Sequence, residues 1–174
     1  AKRMGLPVKK FIVATNSNDV FPKYLQSGKI KPQPSKHTIS NAMDVGKPSN
    51  LDRILKLYNQ DVNALKKELT SWSFSDKETR HSIHNTKDCF DYIIEPHTAV
   101  GLLGLNTYIQ ETDTDCTGIV LATAHPGKFA DVIEPIIREK VTIPKRLKES
   151  MLKEKHATIV PNQYSSLKEY LLET

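Results

Sequence analysis

Cysteine is scarce in this chain: Cys89 and Cys116 are its two thiols among 174 residues. So few, so widely spaced, they exclude a disulfide framework and a structural zinc site. What they leave is a pair of reduced thiols packed as small hydrophobes. Long hydrophobic runs are missing too, since no apolar stretch approaches the ~20 residues a bilayer crossing needs. The basic start AKRMGLPVKK (residues 1–10) lacks the apolar region and small-residue cleavage site of a secretory signal. Cytoplasm is the expected location. Aromatics make up 7% of the chain, with one tryptophan, and the net charge is only +5. Its lysines alternate with glutamates, as on a solvated surface, instead of clustering among stacking rings. Nucleic acid and membrane are therefore not expected partners.

What is present describes an ordinary globular chain, 38% hydrophobic and 26% charged, of a length that buries roughly 70% of its extended surface. KKFIVAT (9–15) reads as a buried strand that stops at the loop NSND, and VFPKYLQSG as a short helix ended by Gly28. Residues 29–40, with two prolines, read as an extended loop. A helix follows, capped by Ser49 or Asn50, with Leu51, Ile54, Leu55 and Tyr58 on one face. Another runs from about Asp61 to Thr70. SDKE (75–78) has the capping-box form and opens a helix to about Cys89.

Tyr92 to Ile94 form a brief extended piece, and Pro96 suits the first turn of a new helix. In that helix Gly101 and Gly104 permit a close neighbour. GIVLATA (118–124) reads as a second buried strand, PGKFADVIEPIIREK returns to helix, and SSLKEYLLE is a final amphipathic helix. Strands that alternate with helices and are apolar along their whole length imply an α/β fold, a parallel sheet flanked by helices on both faces. Ligands in such sheets collect beyond the carboxyl ends of the strands, where the loops TNSND (15–19) and TAHPGK (123–128) fall.

Those loops hold the candidate site residues. Thr123 can present a hydroxyl to a heterocyclic nitrogen without forcing its protonation, or can simply suit a strand. His125 can be an acid, a base, a ligand or a structural hydrogen-bonder, and Lys128 an anion contact or a solvated charge. Asn16 and Asp19 lie in the first loop. TISNAMDVG (38–46) sets Ser40, Asn41 and Asp44 among small apolar residues, as loops that line sites often do, with a plain connector as the competing reading. His81 and His84 are three apart on a helix without a third metal ligand at suitable spacing, so no metal is expected. Glu95, before a proline at a helix start, is accounted for by the helix dipole.

The blocks GLPVKKFIVATNSND, TISNAMDVGKPSN, EPHTAV and LATAHPGKF, in this order and spacing, resemble the C-terminal part of the threonine synthase family. SNAMDVG and TAHPGKF carry most of the weight. The resemblance implies a fold-type-II pyridoxal-phosphate enzyme, tryptophan synthase β-like, with residues 1–174 as an incomplete large α/β domain. It implies conversion of O-phospho-L-homoserine and water to L-threonine and phosphate. Thr123 matches the family threonine whose hydroxyl meets the pyridine nitrogen of pyridoxal 5'-phosphate. The family's Schiff-base lysine, in a phenylalanine-lysine-aspartate motif, and its glycine- and asparagine-rich phosphate loop have no counterpart here. The expectation is a fragment, inactive alone, that does not hold the cofactor and whose partner is the missing N-terminal part. Two alternatives stand beside it: a related phospholyase that breaks the same substrate down to an oxoacid, and a non-catalytic binding module of the same fold.

Overall fold

The computed structural model describes residues 2–113 and 115–173. They fall into two compact units, the first ending at Val141 and the second beginning at Thr142.

The first unit is built on two parallel strands, β1 (Phe11–Thr15) and β2 (Leu69–Ser73), in register from Phe11 opposite Leu69 to Thr15 opposite Ser73. Parallel neighbours need a crossover, and three short helices supply it: α1 (Val20–Ser27), α2 (Leu51–Leu57) and α3 (Val62–Glu68). Their apolar faces close one core of Phe21, Tyr24, Leu25, Leu51, Leu65 and Leu69, against which Val13, Ile54, Leu55 and Tyr58 pack. Gly28 ends α1 at φ 72°, a left-handed cap whose N–H returns to the Tyr24 carbonyl.

Successive side chains on a strand point to opposite faces. While Val13 turns to that core, Ile12 and Ala14 turn to α5 (Pro96–Thr112) on the other side of the sheet. Gly104 of α5 makes this approach possible: a Cβ there would stand 2.8 Å from the Ala14 Cβ. α4 (Asp76–Phe90) and α6 (Ala130–Ile137) complete a second core of Ile83, Ile94, Ala99, Ile133 and Val141. The Ser75–Glu78 capping box starts α4, with both reciprocal bonds formed. The sheet is thus covered on both faces, the α/β arrangement expected.

Three expectations need correction. The helix after Asp61 stops at Glu68, and Leu69–Ser73 forms β2 instead. Thr70 and Trp72 suit a pleat, and β1 offers their backbone a ladder. Residues 118–124 form no strand: among the described residues β1 and β2 pair only with each other. Without a neighbour to take its N–H and C=O groups an apolar run cannot become a strand. It lies along α5 instead, with Val120 against Gly101 and Gly118 against Leu105, leaving Ile119 and Leu121 each 80% exposed. Both cysteines are free, but neither is packed. Cys89 sits near the exposed end of α4 and Cys116 on the segment before 118–124.

The region 126–140 begins as a 3-10 turn, Pro126–Phe129, before α6, which Arg138 ends at φ 56°. The second unit contains α7 (Lys145–Met151) and α8 (Tyr164–Glu173), whose described residues are not buried. No helix among the described residues is long and apolar enough to cross a membrane.

Candidate functional site

β1 delivers Asn16 just past its last residue, at the carboxyl end of the parallel pair. Asn16 is buried to 1% exposure, where an unpaired amide would be costly. Its Oδ1 accepts from the backbone N–H and the side-chain amide of Asn18, both at 2.9 Å, an Asx turn that bends the chain out of the strand. Its Nδ2 faces Thr38 Oγ1 at 2.7 Å and Asp44 Oδ1 at 2.9 Å, the two shortest of its acceptor distances, matching its two hydrogens. Thr38 passes its own hydroxyl proton to Asp44 Oδ1 at 2.7 Å and its backbone N–H to Asp44 Oδ2 at 2.9 Å.

Asp44 is therefore the keystone of the 38–46 loop. Its carboxylate also lies 3.2 Å from Asn18 Nδ2 and 3.5 Å from His37 Nδ1, and its carbonyl receives the Ser35 hydroxyl at 2.6 Å. Charged acceptors strengthen such bonds, so Asp44 ties several points of the chain together. Ser40, fully buried, contributes its hydroxyl 3.2 Å from Thr38 Oγ1. Asn41 begins a 3-10 turn, Asn41–Met43, and is exposed.

Two further anchors fix this loop from α4 and α5. Asp76 Oδ1 accepts the Ile39 N–H at 3.2 Å, and His97 Nε2 accepts the Ala42 N–H at 3.1 Å. Glu95 stands behind His97. Its Oε1 takes the Thr98 N–H and hydroxyl, each at 2.6 Å, while Oε2 takes the His97 N–H at 2.8 Å and lies 2.5 Å from His97 Nδ1. The carboxylate does more than answer the helix dipole, because it caps α5 and orients an imidazole at once. The His97 ring also lies 5.0 Å from that of Phe129, which ties the Pro126–Phe129 turn to the same cluster.

Of the residues singled out in the sequence, the fold joins Asn16, Ser40 and Asp44 directly. Asp19 is turned toward Lys23, 2.9 Å away, although its Oδ1 is buried without a partner among the described residues. Thr123, His125 and Lys128 are exposed. His125 Nδ1 caps its own turn by accepting the Gly127 N–H at 3.0 Å. Sequence reasoning passed over Asn18, Thr38 and His97. Their signals were present: asparagines two apart after a strand, and an acid, proline and histidine in succession at a helix start. His81 pairs with Asn85 and His84 with Asp88, and the described residues hold no metal-binding group of three. Open depressions of about 510 and 610 Å³ flank α2 and share no residue with this network.

Residues 98–171 match the family model described as "Threonine synthase, C-terminal". Over 99% of its length the chain is 38% identical to the threonine synthase of Buchnera aphidicola subspecies Schizaphis graminum, covering 39% of that relative. The crystal structure of threonine synthase from Escherichia coli superposes with a TM-score of 0.81 at 32% identity, over 99% of this chain and 39% of that one. A threonine synthase from Brucella melitensis, solved with pyridoxal phosphate bound, gives 0.80 at 26% identity, over 99% and 42%. The chain spans about two-fifths of the length of the relatives it matches. The parallel pair flanked by helices is thus part of a fold-type-II architecture, and the chain belongs to the threonine synthase family.

Proposed function

We propose that this chain supplies one wall of the active site of a pyridoxal-phosphate-dependent threonine synthase, which makes L-threonine and phosphate from O-phospho-L-homoserine and water. The observation that carries this reading is similarity to threonine synthases along 99% of the chain. The Asn16–Asp44 network beyond the parallel strands supports it, because that is where such sheets place ligands. A charged, cytoplasmic, water-soluble setting belongs to the same reading.

The residues present fit one side of the cofactor. Thr123 offers an exposed neutral hydroxyl, which can donate to a pyridine nitrogen and leave it unprotonated, as a carboxylate would not. Residues for its phosphate and for a covalent lysine have no counterpart here, so residues 1–174 act as the C-terminal portion of the enzyme and are inactive without the rest. When bound, pyridoxal phosphate supplies the electron sink for carbanion chemistry on the substrate.

The chain's own residues shape the space around it. The Asp44 network holds the 38–46 loop rigid so that its exposed face, including Asn41, walls the substrate pocket. Asn16, Ser40 and Asp44 act behind that face, as supports. His125 fixes the turn that carries Lys128, and Lys128 offers a cation to the anionic substrate. Product analysis of the enzyme containing this chain tests the reading: threonine and phosphate in equal amounts support it, and an oxoacid product assigns a phospholyase. Thr123→Val should lower turnover on the order of tenfold and shift the cofactor's absorbance; an unchanged spectrum would remove Thr123 from the ring.

A further inference from the structure

His97 holds an arrangement that the catalytic reading leaves unused. Its Nε2 faces a backbone N–H, that of Ala42, at 3.1 Å. A backbone amide can only donate, so Nε2 must present a lone pair and the ring's proton sits on Nδ1. Nδ1 in turn lies 2.5 Å from Glu95 Oε2, and that carboxylate is 1% exposed. The ring is thus fixed in the neutral Nδ1–H tautomer, gripped at one nitrogen by a buried charge and at one side by Phe129. Its remaining functional atom points out of α5 into the Asn41–Met43 turn.

That turn otherwise closes on itself, the Met43 N–H bonding to the Ser40 carbonyl and the Asp44 N–H to that of Asn41. Asp44 ties down Ser35 and Thr38, and Asp76 holds Ile39. Among the described residues His97 is the one side chain that accepts from an amide within Asn41–Met43. We infer that His97 is a positioning residue: through its Nε2 lone pair it holds the Asn41–Met43 turn in place as a wall of the substrate site. Glu95 sets the tautomer that makes the bond possible. This rests on the reading of residues 38–46 as a site wall.

The test has a mutation-free arm. In the ¹⁵N-labelled chain, long-range imidazole correlations should show His97 protonated at Nδ1 and bare at Nε2, and a proton on Nε2 overturns the assignment. Variants separate the ring's functions. His97→Asn keeps a donor where Nδ1 was but has no acceptor at the Nε2 position. His97→Gln places an oxygen the same number of bonds from Cα as Nε2. Loss of one hydrogen bond should speed exchange of the Ala42 amide about fivefold to tenfold in His97→Asn, with partial recovery in His97→Gln. Unchanged exchange in His97→Asn refutes the latch and leaves the site-wall reading standing.

In the enzyme containing this chain, His97→Asn should raise KM for O-phospho-L-homoserine several-fold while kcat changes less than KM. If the Ala42 amide loosens and KM stays put, the positioning role is overturned together with the site-wall reading on which it rests.

Discussion

FIVAT at 11–15 and GIVLATA at 118–124 are nearly the same message in sequence, yet they meet different ends. The first lies in a parallel ladder with Leu69–Ser73, sandwiched between α5 and the α1–α3 core. The second lies against α5 without regular structure, with Ile119 and Leu121 in solvent. Local pattern is equal, so the difference must come from the neighbour. An apolar β-branched run expresses a demand for a partner strand; only β1 has that demand met among the described residues.

The comparison can be broken at its strongest point first. Leu69 is β2's contribution to the core, 6% exposed, and Leu69→Ala should cost about 2–5 kcal/mol in urea unfolding. Next are the glycines by which each segment approaches α5. A side chain at Gly104 would meet the Ala14 Cβ, which cannot swing aside, so Gly104→Val should cost about 1–3 kcal/mol. At Gly118 the obstacle is the movable end of Leu105, and Gly118→Ala should cost less in the same assay.

The ladder that β1 finds also has a defined exit. β2 leads into the Ser75 cap, where Ser75→Ala should cost about 1 kcal/mol. Hydrogen bonds from the Ser75 side chain and backbone hold the Glu78 carboxyl below its ordinary range. Their stabilisation is full above the unfolded carboxylate value and is lost as pH falls through the lower folded one. Ser75→Ala should therefore flatten the acid side of the stability profile as well. Smallest of all, Leu121→Ala should change stability by no more than ~0.5 kcal/mol, as at an ordinary exposed position. A loss equal to that of Leu69→Ala would mean that 118–124 is buried, and the contrast would dissolve.

What could be read from sequence was what a few adjacent residues settle between themselves. The SDKE box, the Gly28 cap, Pro96 at a helix start and the apolar run of β1 all formed as their local chemistry requires. β2 was hidden because LTSWS becomes a strand only opposite Phe11–Thr15, more than fifty residues away. The loop network was half legible. Asn16, Ser40 and Asp44 stood out as polar groups among small residues, but that Thr38 relays between two of them depends on where β1 ends. His97 was legible least of all, because its role is set by a carboxylate two residues before it and an amide far along the chain. Thr123 stood out by its place at the end of an apolar run and took a role only from likeness to a family; in this structure it is exposed.

The unpaired segment carries one more consequence, for how the chain behaves in the test tube. Residues 118–124 contain neither charge nor proline and combine β-branched with aliphatic side chains, which is the composition of a template for intermolecular strand addition. Two copies can offer each other the ladder that neither finds among its described residues, so concentrated solutions of this polypeptide should self-associate through that edge. A single gatekeeping charge, Leu121→Lys, should keep it monomeric.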